Sequence, residues 1–179
     1  NLDSYKSALE SDPISAFGGI VSCNYKVNQK LAQMLNKIFL EVIVANGFDK
    51  KALRILKSKK NVRLIDSSKI TFNEIWKFNS VDNFTLIQSE DRKIFSKKDF
   101  RIVSKKKPNK SQLDNLMFAF NVCRYTKSNA IVLASNKSTI GIGSGQPSRL
   151  DSCKIAVEKM NKFSKIKNDI VAASDAFFP

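Results

Sequence analysis

The chain has 179 residues, few enough for one domain and enough to bury a sizeable core, and its 42% apolar and 26% charged residues argue for a folded protein over a disordered one. Its 31 Lys and Arg against 16 Asp and Glu give a formal charge of +15. Only six of the basic residues are Arg, which favours a solvated lysine surface over specific nucleic-acid reading. With no His, no CxxC pair and three widely spaced cysteines (Cys23, Cys123 and Cys153), the usual zinc sites and His-based triads are excluded and no disulfide framework is implied.

In chain order, Leu2, Tyr5, Ala8 and Leu9 recur at helical spacing, and Asp12-Pro13 should end that helix because the residue before proline disfavours it. The stretch AFGGIV, from Ala16, reads as a glycine-bearing turn into a strand. A second helix is expected from Asn28 to Ile38 with Asn28 as cap. LEVIVA at 40–45 reads as a buried strand, followed by a helix capped by Asp49 and the strand NVRLID. From Ser67 to Lys110 the pattern is poor: TLIQ and FRIV look β-like between lysine runs. Ser111 is expected to cap a helix reaching about Tyr125, with Asp114 completing a capping box. NAIVLAS, the turn NKS and TIGIGS then read as two strands of a hairpin, Arg149 or Asp151 opens a last helix, and DIVAAS is a final buried strand. Strands alternating with helices indicate an α/β layered fold. No apolar run has transmembrane length and no signal peptide is recognisable, so a soluble, cytoplasmic protein without membrane contact is expected. A helix already under way at Leu2, no initiator Met and the apolar ending SDAFFP read as an internal piece of a longer polypeptide.

Four stretches could carry chemistry. TIGIGSGQPSRLDS holds glycines at 141, 143 and 145 followed by Gln146, Ser148 and Arg149; a structural turn, a dinucleotide loop and a substrate loop remain open, although Pro147 and the hairpin context weigh against the dinucleotide reading. Lys127, Ser128 and Asn129 stand before a strand, as turn residues or as a polar rim able to orient a ligand. DPISAFGGIV and SDAFFP are either tight turns with aromatic packing or walls of a pocket for a flat ring, with Gly18 and Phe177 as the close-approach positions.

Five segments in this order, DPISAFGGIV, FLEVIVA with KKALRILKSKKNVRLID, DNLMFAFNVCRYTKSNAIVLA, TIGIGSGQPSRLDSCKIAVEK and AASDAFFP, resemble the transformylase (AICAR formyltransferase) domain of the PurH family of bifunctional purine biosynthesis proteins. The resemblance covers most of residues 1–179 apart from 67–110, and it makes them the central part of that domain, without the IMP cyclohydrolase domain. It implies a cytidine-deaminase-like α/β/α layered fold, incomplete here, without metal and with active sites built across a homodimer. The implied reaction moves a formyl group from the co-substrate 10-formyltetrahydrofolate to the 5-amino group of aminoimidazole carboxamide ribonucleotide (AICAR). Carried over by motif, the substrate contacts fall on Gly18, Glu41, Asn129 and Phe177, and the folate contacts on Arg149 and Gln146. Lys127 and Asn129 support the chemistry. The family's catalytic Lys-His pair belongs upstream of Asn1, so formyl transfer by these residues alone is expected to be feeble. Pro147 departs from the usual Met, and VDNFTLIQ replaces a stretch that normally carries paired glycines. The alternative, from charge alone, is a non-enzymatic basic module for nucleic acid or other polyanions.

Overall fold

A computed structural model describes residues 2–71, 76–166 and 168–175. The fold is α/β, with helices packed on parallel and antiparallel sheets. Helix α1 (Leu2–Ser11) stops just before Asp12-Pro13, where the Asp12 carboxylate accepts from the Ser15 amide at 3.0 Å and the Ser15 hydroxyl at 2.9 Å. Strands β1 (Gly19–Cys23), β2 (Leu40–Ala45) and β3 (Arg63–Asp66) then form a parallel sheet in that order, joined through helices α2 (Gln29–Leu35) and α3 (Lys50–Leu56). Parallel neighbours require such crossovers. As expected, Asn28 caps α2, its side chain accepting from the Leu31 amide at 3.0 Å, although the helix ends at Leu35 and not Ile38. Asp49 precedes α3 without bonding its first turn; its carboxylate is drawn to Lys26 at 3.2 Å. The core of this unit is made of large aliphatics: Val27, Leu31, Leu35, Leu40, Ile43 and Leu56 are buried together, with Tyr5 of α1 against them.

The second unit is antiparallel. Helix α4 (Lys110–Cys123) precedes a sheet in which β6 (Ile131–Ser135) lies between β7 (Ser138–Gly143) and β8 (Val171–Ser174), and α5 (Arg149–Phe163) connects β7 to β8. Alternation along β6 explains its unbroken apolar run. Ala130, Val132 and Ala134 pack with Ala119 and Cys123 of α4, whereas Ile131 and Leu133 pack with Ala156 of α5, so the strand is buried on both faces between two helices. The α4 cap is corrected by two residues: Asn109 accepts from the Gln112 amide at 2.8 Å while the Gln112 side chain accepts from the Asn109 amide at 3.0 Å. That Asn-x-x-Gln pair completes the box, and Asp114 instead bridges to Lys97 at 3.1 Å.

Between the units, β4 (Trp76–Val81) and β5 (Phe84–Ser89) form a hairpin exposed along both strands. TLIQ falls in β5, but FRIV is not a strand. Residues 90–100 run back onto α4, where Phe95 and Phe100 meet Phe120 edge-on and Arg124 binds Asp91 at 3.0 Å. The second unit is tied to α1 by Ser11 and Thr139 hydroxyls 2.7 Å apart and by a Lys159–Asp12 bridge at 3.0 Å. No described helix is long and apolar enough to cross a membrane.

Candidate functional site

At the end of the second sheet where β6 begins and β7 and β8 finish, three loops converge. The loop before β6 holds Lys127, Ser128 and Asn129, the loop after β7 holds Gly145, Gln146 and Pro147, and Asp175 follows β8. Backbone bonds zip the first two together: the Gly145 amide donates to the Lys127 carbonyl at 2.8 Å and the Asn129 amide to the Gln146 carbonyl at 3.1 Å. Gly145, at φ +67° with no neighbour within 4 Å of a virtual Cβ, makes the turn that permits this. The other two glycines serve packing. A Cβ on Gly141 would lie 2.1 Å from the Ala156 carbonyl oxygen and one on Gly143 1.8 Å from that of Ser152, so both let the backbone of α5 rest directly on β7. Neither faces a ligand cradle.

Arg149, the first residue of α5, reaches across this junction. Its Nη1 donates to Asp175 Oδ1 and Ser174 Oγ, each at 2.6 Å, and its Nη2 donates to Asn129 Oδ1 at 2.7 Å. The Asn129 Nδ2 donates to the carbonyls of Gln146 at 3.0 Å and Pro147 at 2.9 Å, and its own carbonyl accepts from the Ser152 hydroxyl at 2.7 Å. Asp175 accepts from the Ala130 amide at 3.0 Å and from the Ser128 hydroxyl. Burial pushes the Asp175 carboxyl upward, but the bonds from Ser128, Arg149 and Ala130 and the Arg149 charge outweigh it and hold it at about 2. The neighbouring Cys123 thiol is pushed up to about 11 by burial and by the Asp175 charge, which makes it a packing group and a poor nucleophile.

The structure therefore brings Lys127, Asn129, Gln146 and Arg149 together, with Gln146 contributing its carbonyl and Lys127 leaving its side chain exposed. Gly18, in the turn before β1, and Glu41, on β2, take no part in these bonds. Gly18, at φ +71°, donates to the Phe39 carbonyl at 2.9 Å, and exposed Glu41 lines a shallow hollow with Phe39, Lys60 and Arg63. The Phe39 ring meets that of Phe17 at a tilt, with centroids 5.3 Å apart and both exposed. Phe177 lies outside the described residues. Asp175 was visible in sequence only as part of SDAFFP; its role depends on partners some 26–47 positions away. Among the described residues no cluster of three His, Cys, Asp or Glu side chains is placed to hold a metal ion.

A model of the AICARFT/IMPCHase bienzyme family matches residues 1–159. The chain is similar to proteins named bifunctional purine biosynthesis protein PurH: 41% identical over 180 aligned positions to that of Acetivibrio thermocellus, 38% over 178 to that of Chlorobium phaeobacteroides and 42% over 177 to that of Aquifex aeolicus. In each case 99% of this chain and 34% of the relative are covered, so the chain spans about a third of the length of the curated relatives it matches.

Proposed function

The chain belongs to the AICARFT/IMPCHase bienzyme family, and on that premise we propose that its residues form part of a site transferring a formyl group from 10-formyltetrahydrofolate to the 5-amino group of AICAR. The observation that carries the proposal is the bonded junction in which Asn129, Arg149 and the carbonyl of Gln146 hold one another at the open end of the second sheet. The amine of AICAR is a weak nucleophile because its lone pair spreads into a ring bearing a carboxamide. Transfer then depends on holding amine and formyl carbon in register, on taking a proton and on stabilising the developing oxyanion.

These residues suit the first task. A loop fixed by backbone bonds on one side and by a guanidinium on the other positions polar groups at little entropic cost on binding. In this reading Asn129 and Lys127 face the nucleotide, Gly18, Glu41 and Phe177 wall its ring and ribose, and Arg149 and Gln146 border the folate. A second copy of the chain completes the site. The 179 residues contain no histidine, so the imidazole expected to take the proton is not among them.

Calorimetric titration of the purified chain with AICAR tests the proposal. Saturable binding, weakened roughly tenfold or more by Asn129→Ala, is expected, and formyl transfer by the chain alone should be far slower than binding allows. No binding of AICAR would sink the site assignment; rapid transfer would show that a group other than imidazole takes the proton.

A further inference from the structure

The position of Arg149 is electrostatically awkward. It opens a 15-residue helix, where unsatisfied amides already carry partial positive charge and a cation is repelled. A carboxylate is needed to hold it there, and Asp175 supplies one at 2.6 Å while also accepting from Ala130 and Ser128 on the loop that carries Asn129. Asp175 thus joins the end of β8, the start of α5 and the entrance to β6 through a single group that is 11% exposed. Charge-assisted bonds of this kind are the strong ones, and a buried charge left without its partner is costly.

The amide of Asn129 is almost fully committed. Arg149 has only donors, so the atom it meets at 2.7 Å must be the oxygen, which fixes the amide orientation. Both Nδ2 hydrogens then have carbonyl partners, on Gln146 and Pro147. What remains for a ligand is one lone pair on Oδ1. We propose that Asp175 is a positioning residue: through Arg149 and Ser128 it locks Asn129 so that the side chain presents a ligand with one hydrogen-bond acceptor and no donor. The group it selects is an N–H or O–H donor, such as an aromatic amine. This rests on the reading above only in taking AICAR as the ligand; the lock belongs to the chain itself.

The test separates the two. Hydrogen exchange of the Asn129 side-chain amide is followed by NMR in the 179-residue chain, with the Ala134 and Ile43 backbone amides as references on the two sheets. Asp175→Asn removes the charge at nearly constant volume and should speed Asn129 exchange by about tenfold or more while leaving both references unchanged. Asp175→Glu keeps the charge on a longer arm; it should fall between the two, and it decides the matter alone if Asp175→Asn does not fold. No change at Asn129, or equal acceleration at Asn129 and Ala134, would overturn the positioning role, since the latter makes Asp175 a stability residue. In the same variants AICAR affinity should fall in step with the loss of protection. A wild-type chain that binds no AICAR but shows the selective exchange effect would retain the lock and refute the ligand.

Discussion

The two sheets solve the problem of packing a helix on strands in opposite ways. The parallel sheet fills its interior with bulk, Leu31, Leu35, Leu40, Ile43 and Leu56 being interlocked aliphatics with no polar member among them. The antiparallel sheet works partly by subtraction: Ala119, Ala130, Ala134 and Ala156 are buried beside Ile131, Val132, Leu133 and Ile140, and at Gly141 and Gly143 the helix backbone takes the place of a side chain. Close backbone approach sacrifices apolar area but fixes α5 rigidly, and α5 carries Arg149 into the junction with Asn129 and Asp175. The contrast teaches that in this chain bulk stabilises and smallness positions. A methyl group too many should therefore hurt the second sheet as much as several too few hurt the first.

The largest effect is expected for Gly143→Ala. A Cβ 1.8 Å from the Ser152 carbonyl oxygen meets helix backbone, which cannot step aside without moving α5 as a whole. The loss should exceed about 3 kcal/mol, beyond most overpacking substitutions, read as a fall in the urea midpoint or as failure to fold. Loss below about 1 kcal/mol would mean that α5 can lift off β7, and the contrast would break. Next comes Leu35→Ala in the parallel sheet. It deletes a fully buried side chain and should cost about 3 kcal/mol by cavity formation, while leaving Asn129 side-chain exchange unchanged because no bond of the junction reaches α2.

Much of this contrast was legible in the sequence, though for uneven reasons. Buried strands announce themselves as unbroken apolar runs, and LEVIVA and NAIVLAS both proved to be strands; Pro13 marked the end of α1 and Asn28 the start of α2. The first strand of the β4–β5 hairpin was missed because Trp76–Val81 is exposed on both faces, so no buried side imposes an alternation of apolar and polar residues. The cap of α4 was misplaced because Ser111 and Asn109 both precede a suitable partner three residues on, and sequence cannot show that Lys97 competes for Asp114. Gly141 and Gly143 left a structural turn and permissive backbone beside a ligand both open; what they accommodate is α5, nine to fifteen residues downstream. Of the site, the loops were found from motif, but the residue that ties them, Asp175, acts through contacts between segments far apart in the chain.

The smallest effect is expected from the acid titration of Asp175. The Asp175 carboxyl titrates at about 2 in the folded chain against an ordinary 3.8, so its folded-state value is depressed. Such a group contributes stability that is fully present above the unfolded value and is lost as pH falls through the folded one. Arg149 is the charged group facing it, and the Cys123 thiol beside it, pushed up to about 11, is neutral over the whole range and adds no second transition. Between about pH 5 and pH 8 this carboxyl should leave stability flat. Below about pH 4 the Ala130 amide resonance, whose proton is donated to Asp175, should move with the carboxyl titration, and Asn129 side-chain exchange should accelerate relative to its intrinsic rate, while the Ile43 amide in the parallel sheet holds its protection. A midpoint for the Ala130 shift near 4 would mean that the carboxyl gains nothing from Arg149 and Ser128. Simultaneous loss at Ile43 would show that acid unfolds both sheets together, and the division between a stabilising sheet and a positioning one would have no thermodynamic counterpart.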